Sequence, residues 1–124
     1  MEEARQRFRQ LDVWAEAMNL ARAVYRLTAT FPSEERFGLT AQLRRAAVSV
    51  PSNIAEGSVR RSRKQFCHYL EIALGSLAEI ETQLEIASDF VACDDGLPEI
   101  QERMMRTRKM LYRLMTVLES QAGT

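Results

Sequence analysis

The sequence predicts an all-α fold, an up-down-up-down antiparallel four-helix bundle, and three observations carry that prediction. Apolar residues recur at intervals of three and four in four separate stretches, whereas no stretch alternates strictly as a half-buried strand would. Only five Gly and three Pro punctuate 124 residues, of which 46% are hydrophobic, and this suits long helices around one core. The links between the stretches are short, which favours antiparallel neighbours. The chain accordingly reads as one domain over 12–121, with 1–11 as a flexible or frayed start and 122–124 as a tail.

The first helix is predicted over Asp12 to Thr28, with Trp14, Ala17, Met18, Ala21 and Val24 on its buried face and Phe31-Pro32 ending it. The second begins near Thr40. Leu39, Leu43, Ala46, Ala47, Val50 and Ile54 line one side of it, and Gly57 is its natural stop. Ser62 is an N-cap for the third helix, whose stripe of Phe66, Leu70, Ala73, Leu77, Ile80, Leu84 and Ala87 continues to near Val91. Asp94-Asp95-Gly96 forms a turn. Pro98 sits where the first turn of a fourth helix tolerates it, and Leu97, Ile100, Met104, Leu111, Leu114 and Leu118 form that helix's seam.

A formal net charge of zero hides three blocks of nearly pure sign. Arg36 to Lys64 holds seven Lys or Arg and one acid, Glu56; Gln65 to Glu102 holds nine acids and no Lys or Arg; Arg103, Arg106, Arg108, Lys109 and Arg113 then follow without an acid. Such blocks suit helices that sit against oppositely charged helices, in the same subunit or the next, and point toward assembly more than toward a catalytic cleft. Solvated helix faces are the plainer alternative for any single charge.

Pattern and propensity conflict at one place, Ser49-Val50-Pro51-Ser52-Asn53-Ile54-Ala55-Glu56-Gly57. A proline inside a helix deletes a hydrogen bond and displaces the carbonyl four residues back, here that of Ala47, at a cost of about 3 kcal/mol. Either the helix kinks here, or it breaks and a short new turn starts at Asn53 with Glu56 three residues on, as in a capping box; the apolar stripe continues in register to Ile54, so the kink is the preferred expectation. Ser49, Ser52 and Asn53 are the polar residues able to rescue freed backbone groups, and Gly57 is expected to end the helix in a left-handed conformation. Arg45, Ser49, Ser52 and Glu56 recur on one face. Arg45 and Glu56 are too far apart to pair, so each is expected to meet a partner on another helix or subunit.

Leu39-Thr40-Ala41-Gln42-Leu43-Arg44-Arg45-Ala46-Ala47-Val48 runs into that segment, and Leu74-Gly75-Ser76-Leu77-Ala78-Glu79-Ile80-Glu81-Thr82-Gln83-Leu84 follows it. Together with Leu11-Asp12-Val13-Trp14, these residues resemble the four-helix-bundle proteins encoded in intervening sequences of bacterial 23S ribosomal RNA genes. The resemblance implies a small cytoplasmic bundle that assembles with itself into a ring, pentameric where the family has been seen, and it implies no catalytic residues. A distant branch is the basic, nucleic-acid-associated accessory protein of diversity-generating retroelements; this chain departs from it in its pI of about 6.6.

Little else in the sequence carries chemistry. His68 is the only histidine, so the two Glu-x-x-His pairs of a bundle di-iron site are not available. Cys67 and His68 are adjacent on a helix and point about 100° apart, poor geometry for a thiolate and its base. Cys67 and Cys93 lack the spacing of a zinc site or disulfide framework, and Met1-Glu2-Glu3-Ala4-Arg5 does not open a secretory signal. Gly75-Ser76 in mid-helix reads as a place of close helix approach. No cofactor, metal, membrane or small-molecule substrate is therefore expected.

The best candidate surface is Arg60-Arg61-Ser62-Arg63-Lys64, because four positive charges at a helix amino terminus oppose its dipole and so suggest a partner. Arg103, Arg106, Lys109 and Arg113 form a second basic stripe, and Arg44 and Arg45 are further candidates for contact with a subunit or with nucleic acid. A solvated turn is the competing reading, and no aromatics interleave with the basic run as single-strand binding would favour. The function expected is a non-enzymatic homo-oligomer; the alternative is an RNA- or DNA-binding module that uses the basic turn.

Overall fold

The computed structural model describes residues 7–93 and 95–122. Four helices make up the fold: α1 Asp12–Thr28, α2 Leu39–Ser58, α3 Arg63–Phe90 and α4 Leu97–Ala122. Each helix packs on the next in sequence and α1 packs on α4, while among the described residues the backbones of the diagonal pairs stay further apart. One core results. Leu20, Val24, Leu43, Ile54, Leu77, Ile80, Ile100 and Leu111 are all fully buried within it.

The stripes expected for α2, α3 and α4 are the ones buried, apart from Leu39, Phe66, Leu97 and Leu114, which pack half-buried at its margin. The face of α1 differs from expectation. Val13, Leu20, Ala23 and Leu27 join Ala17, Ala21 and Val24 in the core, whereas Trp14 and Met18 are only half-buried. The apolar arc of α1 is wider than one partner covers, so the largest side chains sit at its edge.

Residues 1–6 of the segment expected to fray, the tail residues 123–124 and Asp94 of the expected turn lie outside the described residues. Residues Arg7–Gln10 form a short 3-10 helix that packs against α1 and α2, with the Phe8 ring edge-on to Trp14 at 5.1 Å between centroids. A second 3-10 turn, Ser33–Glu35, lies between α1 and α2.

Two glycines behave otherwise than expected. Gly57 is helical, α2 continues to Ser58, and no described residue has a left-handed backbone. The absence of a side chain at Gly57 serves packing instead: a Cβ there would lie 2.8 Å from the Tyr69 Cβ and 3.2 Å from the Phe66 carbonyl oxygen. Gly75, read as the place of close approach, is exposed, and a Cβ there would meet nothing within 4 Å. Its neighbour Ser76 is the residue buried against α2.

Candidate functional site

Helix α3 starts where the sequence places it. The Ser62 hydroxyl accepts the Gln65 N–H at 3.1 Å, satisfying one of the unpaired donors of the first turn. The basic residues around this cap divide into two groups. Arg60 is committed within the chain: it pairs with Glu56, donates to the Tyr69 hydroxyl at 2.9 Å and lies over the Tyr69 ring at 4.9 Å. Arg63 donates to the Gln121 carbonyl at 3.3 Å and so ties the turn to the end of α4. Arg61 and Lys64 are exposed without an ion-pair partner among the described residues. An open pocket of about 740 Å³ lies among Arg60, Arg61, Arg63, Lys64, Phe66 and Leu118.

Glu56 thus finds its partner one turn along its own chain, contrary to the expectation of another helix or subunit. Arg45 is exposed and pairs with no described residue. Its neighbour Arg44 is different again. Its Nε donates to the Thr28 hydroxyl at 2.8 Å, a second guanidinium nitrogen reaches the Tyr25 carbonyl at 3.3 Å, and the plane lies over the Tyr25 ring at 4.4 Å. A cation at the last carbonyls of α1 is favourable there, and Arg44 joins α1 to α2 instead of facing a partner.

The second basic stripe is neutralised in part. Arg103 pairs with Glu16 of α1 at 3.1 Å and with Glu99 at 2.9 Å, and Arg26 reaches the same Glu99 oxygen at 3.0 Å. These contacts hold the Glu99 carboxyl below its ordinary range, chiefly through the Arg103 hydrogen bond and then through the charges of Arg26 and Arg103. Arg106 pairs with Glu102 at 2.6 Å and Arg108 with Glu81 at 3.4 Å. Lys109 and Arg113 are left exposed on α4, Arg113 about 7.5 Å along the helix axis from the Leu118 edge of the basic pocket. Of this stripe, Lys109 and Arg113 alone have no ion-pair partner among the described residues.

The expected neutralisation of α3 by its neighbours is also missing. Arg108–Glu81 is the one ion pair among the described residues that joins α3 to another helix; Glu71, Glu79, Glu85 and Asp89 face solvent unpaired.

Around Pro51 the helix is continuous, and a relay of polar groups accompanies it. The Asn53 side-chain amide donates to the Ser49 carbonyl at 2.8 Å and the Ser49 hydroxyl at 2.9 Å, that hydroxyl lies 2.8 Å from the Ser76 hydroxyl, and Ser76 donates to the Ile72 carbonyl at 3.2 Å. Because Ser76 gives its proton to Ile72, Ser49 is the donor between the two hydroxyls. The relay joins α2 to α3. It serves the Ser49 carbonyl, not the Ala47 carbonyl that the proline frees, and Ser52 takes no part, being exposed at the rim of an apolar groove.

That groove is the feature the sequence reading missed. Trp14, Met18 and Tyr25 of α1 face Val48, Pro51 and Ala55 of α2 across about 660 Å³, with Arg22 and Arg26 beside them. Its signal in the sequence is the spacing of Trp14, Met18 and Tyr25, a second apolar line beside the core stripe. At Cys67, burial first, then the carboxylates of Glu119 and Glu71, push the thiol above its ordinary value. Among the described residues no three His, Cys, Asp or Glu are grouped to hold a metal, and no helix is long and apolar enough to cross a membrane.

Fold and surface together define a small all-α four-helix protein with one core, a basic turn at one end and an outward acidic helix. Residues 9–113 match the family model described as 23S rRNA-intervening sequence protein, and the chain belongs to that family. A comparison with curated proteins finds no match.

Proposed function

We propose that the protein is a non-enzymatic subunit of a cytoplasmic homo-oligomer, a ring of five in keeping with the resemblance. One observation carries this reading: Glu71, Glu79, Glu85 and Asp89 on the outer side of α3 and Arg45 on the outer side of α2 have no ion-pair partner among the described residues. Opposite charges segregated on separate faces attract one another between copies as well as within one. Exposed apolar side chains on the same faces, Val48 and Ile72, support it. In this reading the helices run up-down-up-down, as the pairing of Ser49 with Ser76 and of Gly57 with Tyr69 suggests, and α2 bends at Pro51, which offers no N–H to Ala47. Multi-angle light scattering at micromolar concentration tests it: an assembly several times 14.2 kDa is expected, and a monomer at that mass rejects the reading.

The second reading is an RNA- or DNA-binding accessory module centred on the basic turn. The open pocket with unpaired Arg61 and Lys64 favours it. Titration with labelled RNA and DNA at two salt concentrations separates the readings, since phosphate binding must weaken steeply as salt rises.

A further inference from the structure

The apolar groove between α1 and α2 has no occupant among the described residues, and α3 presents a surface that fits it. His68, Ile72, Gly75, Glu79, Thr82 and Ile86 follow one another at steps of four and three along α3, and all are exposed. This seven-residue spacing is the one by which a helix keeps a single seam against a partner helix. The core stripe of α3 lies on its opposite side, so the seam is free. On α2, Val48, Ser52 and Ala55 line one wall of the groove, and Arg45, three residues before Val48, continues their exposed face beyond it.

Charge tells the occupant. The rim carries Arg22, which donates to Asn19 at 3.1 Å and forms no ion pair among the described residues, and Arg45 beyond the wall likewise has no ion-pair partner among them. The α3 seam contains Glu79 and is flanked by Glu71, Glu85 and Asp89, none of them paired among the described residues, and no Lys or Arg lies anywhere between Gln65 and Glu102. Gly75 adds a steric argument. An exposed mid-helix glycine weakens a helix and packs against nothing in its own chain, but it lets a second backbone come close.

The geometry points to the α1–α2 groove of one protomer receiving the α3 seam of a second copy, around Ile72, Gly75 and Glu79. The inference rests on the homo-oligomer reading and names its contact. Groove and seam are different surfaces, so each protomer offers one of each and the contact repeats head to tail, the arrangement that closes a ring.

Two exposed residues test this without touching the core: Val48→Glu blocks the groove with an acid and Ile72→Glu blocks the seam. Each variant, checked for helicity by circular dichroism, is expected to run as a monomer where the unaltered protein is assembled. Mixed in equal amounts, they retain one intact groove and one intact seam, and are expected to form a one-to-one dimer and nothing larger. Persistence of the full assembly in either variant overturns this contact while leaving the oligomer reading standing, as does a mixture that stays monomeric. Loss of assembly in Val48→Glu alone assigns the groove to a different face of the neighbour. An unaltered chain that is itself monomeric rejects the oligomer reading and this contact with it.

Discussion

Gly57 lies against Tyr69 so closely that a Cβ on the glycine would stand 2.8 Å from the tyrosine Cβ, closer than two such carbons approach in folded proteins. The nearest atoms include the Phe66 backbone oxygen at 3.2 Å, which cannot rotate away as the end of a long side chain could. Here the turn between α2 and α3 is narrow because the backbone of one helix rests on the other. Arg60 then closes the corner from outside by stacking on Tyr69.

Gly57→Ala should therefore destabilise the fold by about 1–3 kcal/mol, the usual range for overpacking. Gly75→Ala should do the reverse, because its Cβ meets open space and alanine is favoured over glycine in a helix by about 1 kcal/mol. Urea denaturation of both, in a Val48→Glu background that removes any contribution from assembly, would compare them directly. Equal effects at the two positions would contradict the packing described.

The two glycines also show what a sequence can disclose. Periodicity located all four helices, and Ser62 was legible as a cap because its chemistry acts within three residues. The role of Gly57 was not legible, since the atoms that exclude a side chain there belong to Phe66 and Tyr69 on another helix. Partner choice among the charges was equally hidden: Arg44 and Arg45 are adjacent letters of one kind, but helix rotation turns one toward Tyr25 and Thr28 and the other to solvent. The resemblance to the intervening-sequence family was carried by the helical text itself, and the family match over residues 9–113 agrees with it.

Asn53→Ala removes the first donor of the relay through Ser49 and Ser76 to Ile72. A loss of about 1 kcal/mol is expected, the typical net worth of a hydrogen bond at a half-buried site. Ser76→Ala should cost a similar amount, and the double variant should lose less than the sum because both act through Ser49. Strict additivity in a double-mutant cycle would show that the relay is not a unit.

The pairing of Arg103 with Glu16 and Glu99 predicts a specific acid sensitivity. The folded Glu99 carboxyl is held below its ordinary range, so it binds protons less readily than in the unfolded chain. Its contribution is complete above the unfolded carboxylate value of about 4.3 and disappears as pH falls through the lower folded value. Glu99→Gln should consequently flatten this part of the acid limb of the stability curve, lowering stability at neutral pH without changing its slope there. Melting temperatures from pH 2.5 to 6 would measure it; an unchanged acid limb would mean that Glu99 titrates alike in both states.

Arg44 and Arg45 should separate under the same substitution. Arg44→Glu deletes a charged hydrogen bond to Thr28 and the stacking on Tyr25, and sets a carboxylate beside the carbonyl ends of α1, where the helix dipole opposes it. A loss of about 2–3 kcal/mol in the stability of the chain itself follows. Arg45→Glu removes no ion pair or side-chain hydrogen bond among the described residues and should alter that stability by no more than about 0.5 kcal/mol, the range for an exposed site. Its effect should fall on assembly, weakening it on the order of tenfold and leaving what remains less sensitive to salt, since one of the attractive charges is gone. Sedimentation at 50 and 500 mM salt, paired with chemical denaturation, reads both quantities. If Arg45→Glu changed folding as much as Arg44→Glu, or left assembly and its salt dependence untouched, Arg45 would have no role between subunits.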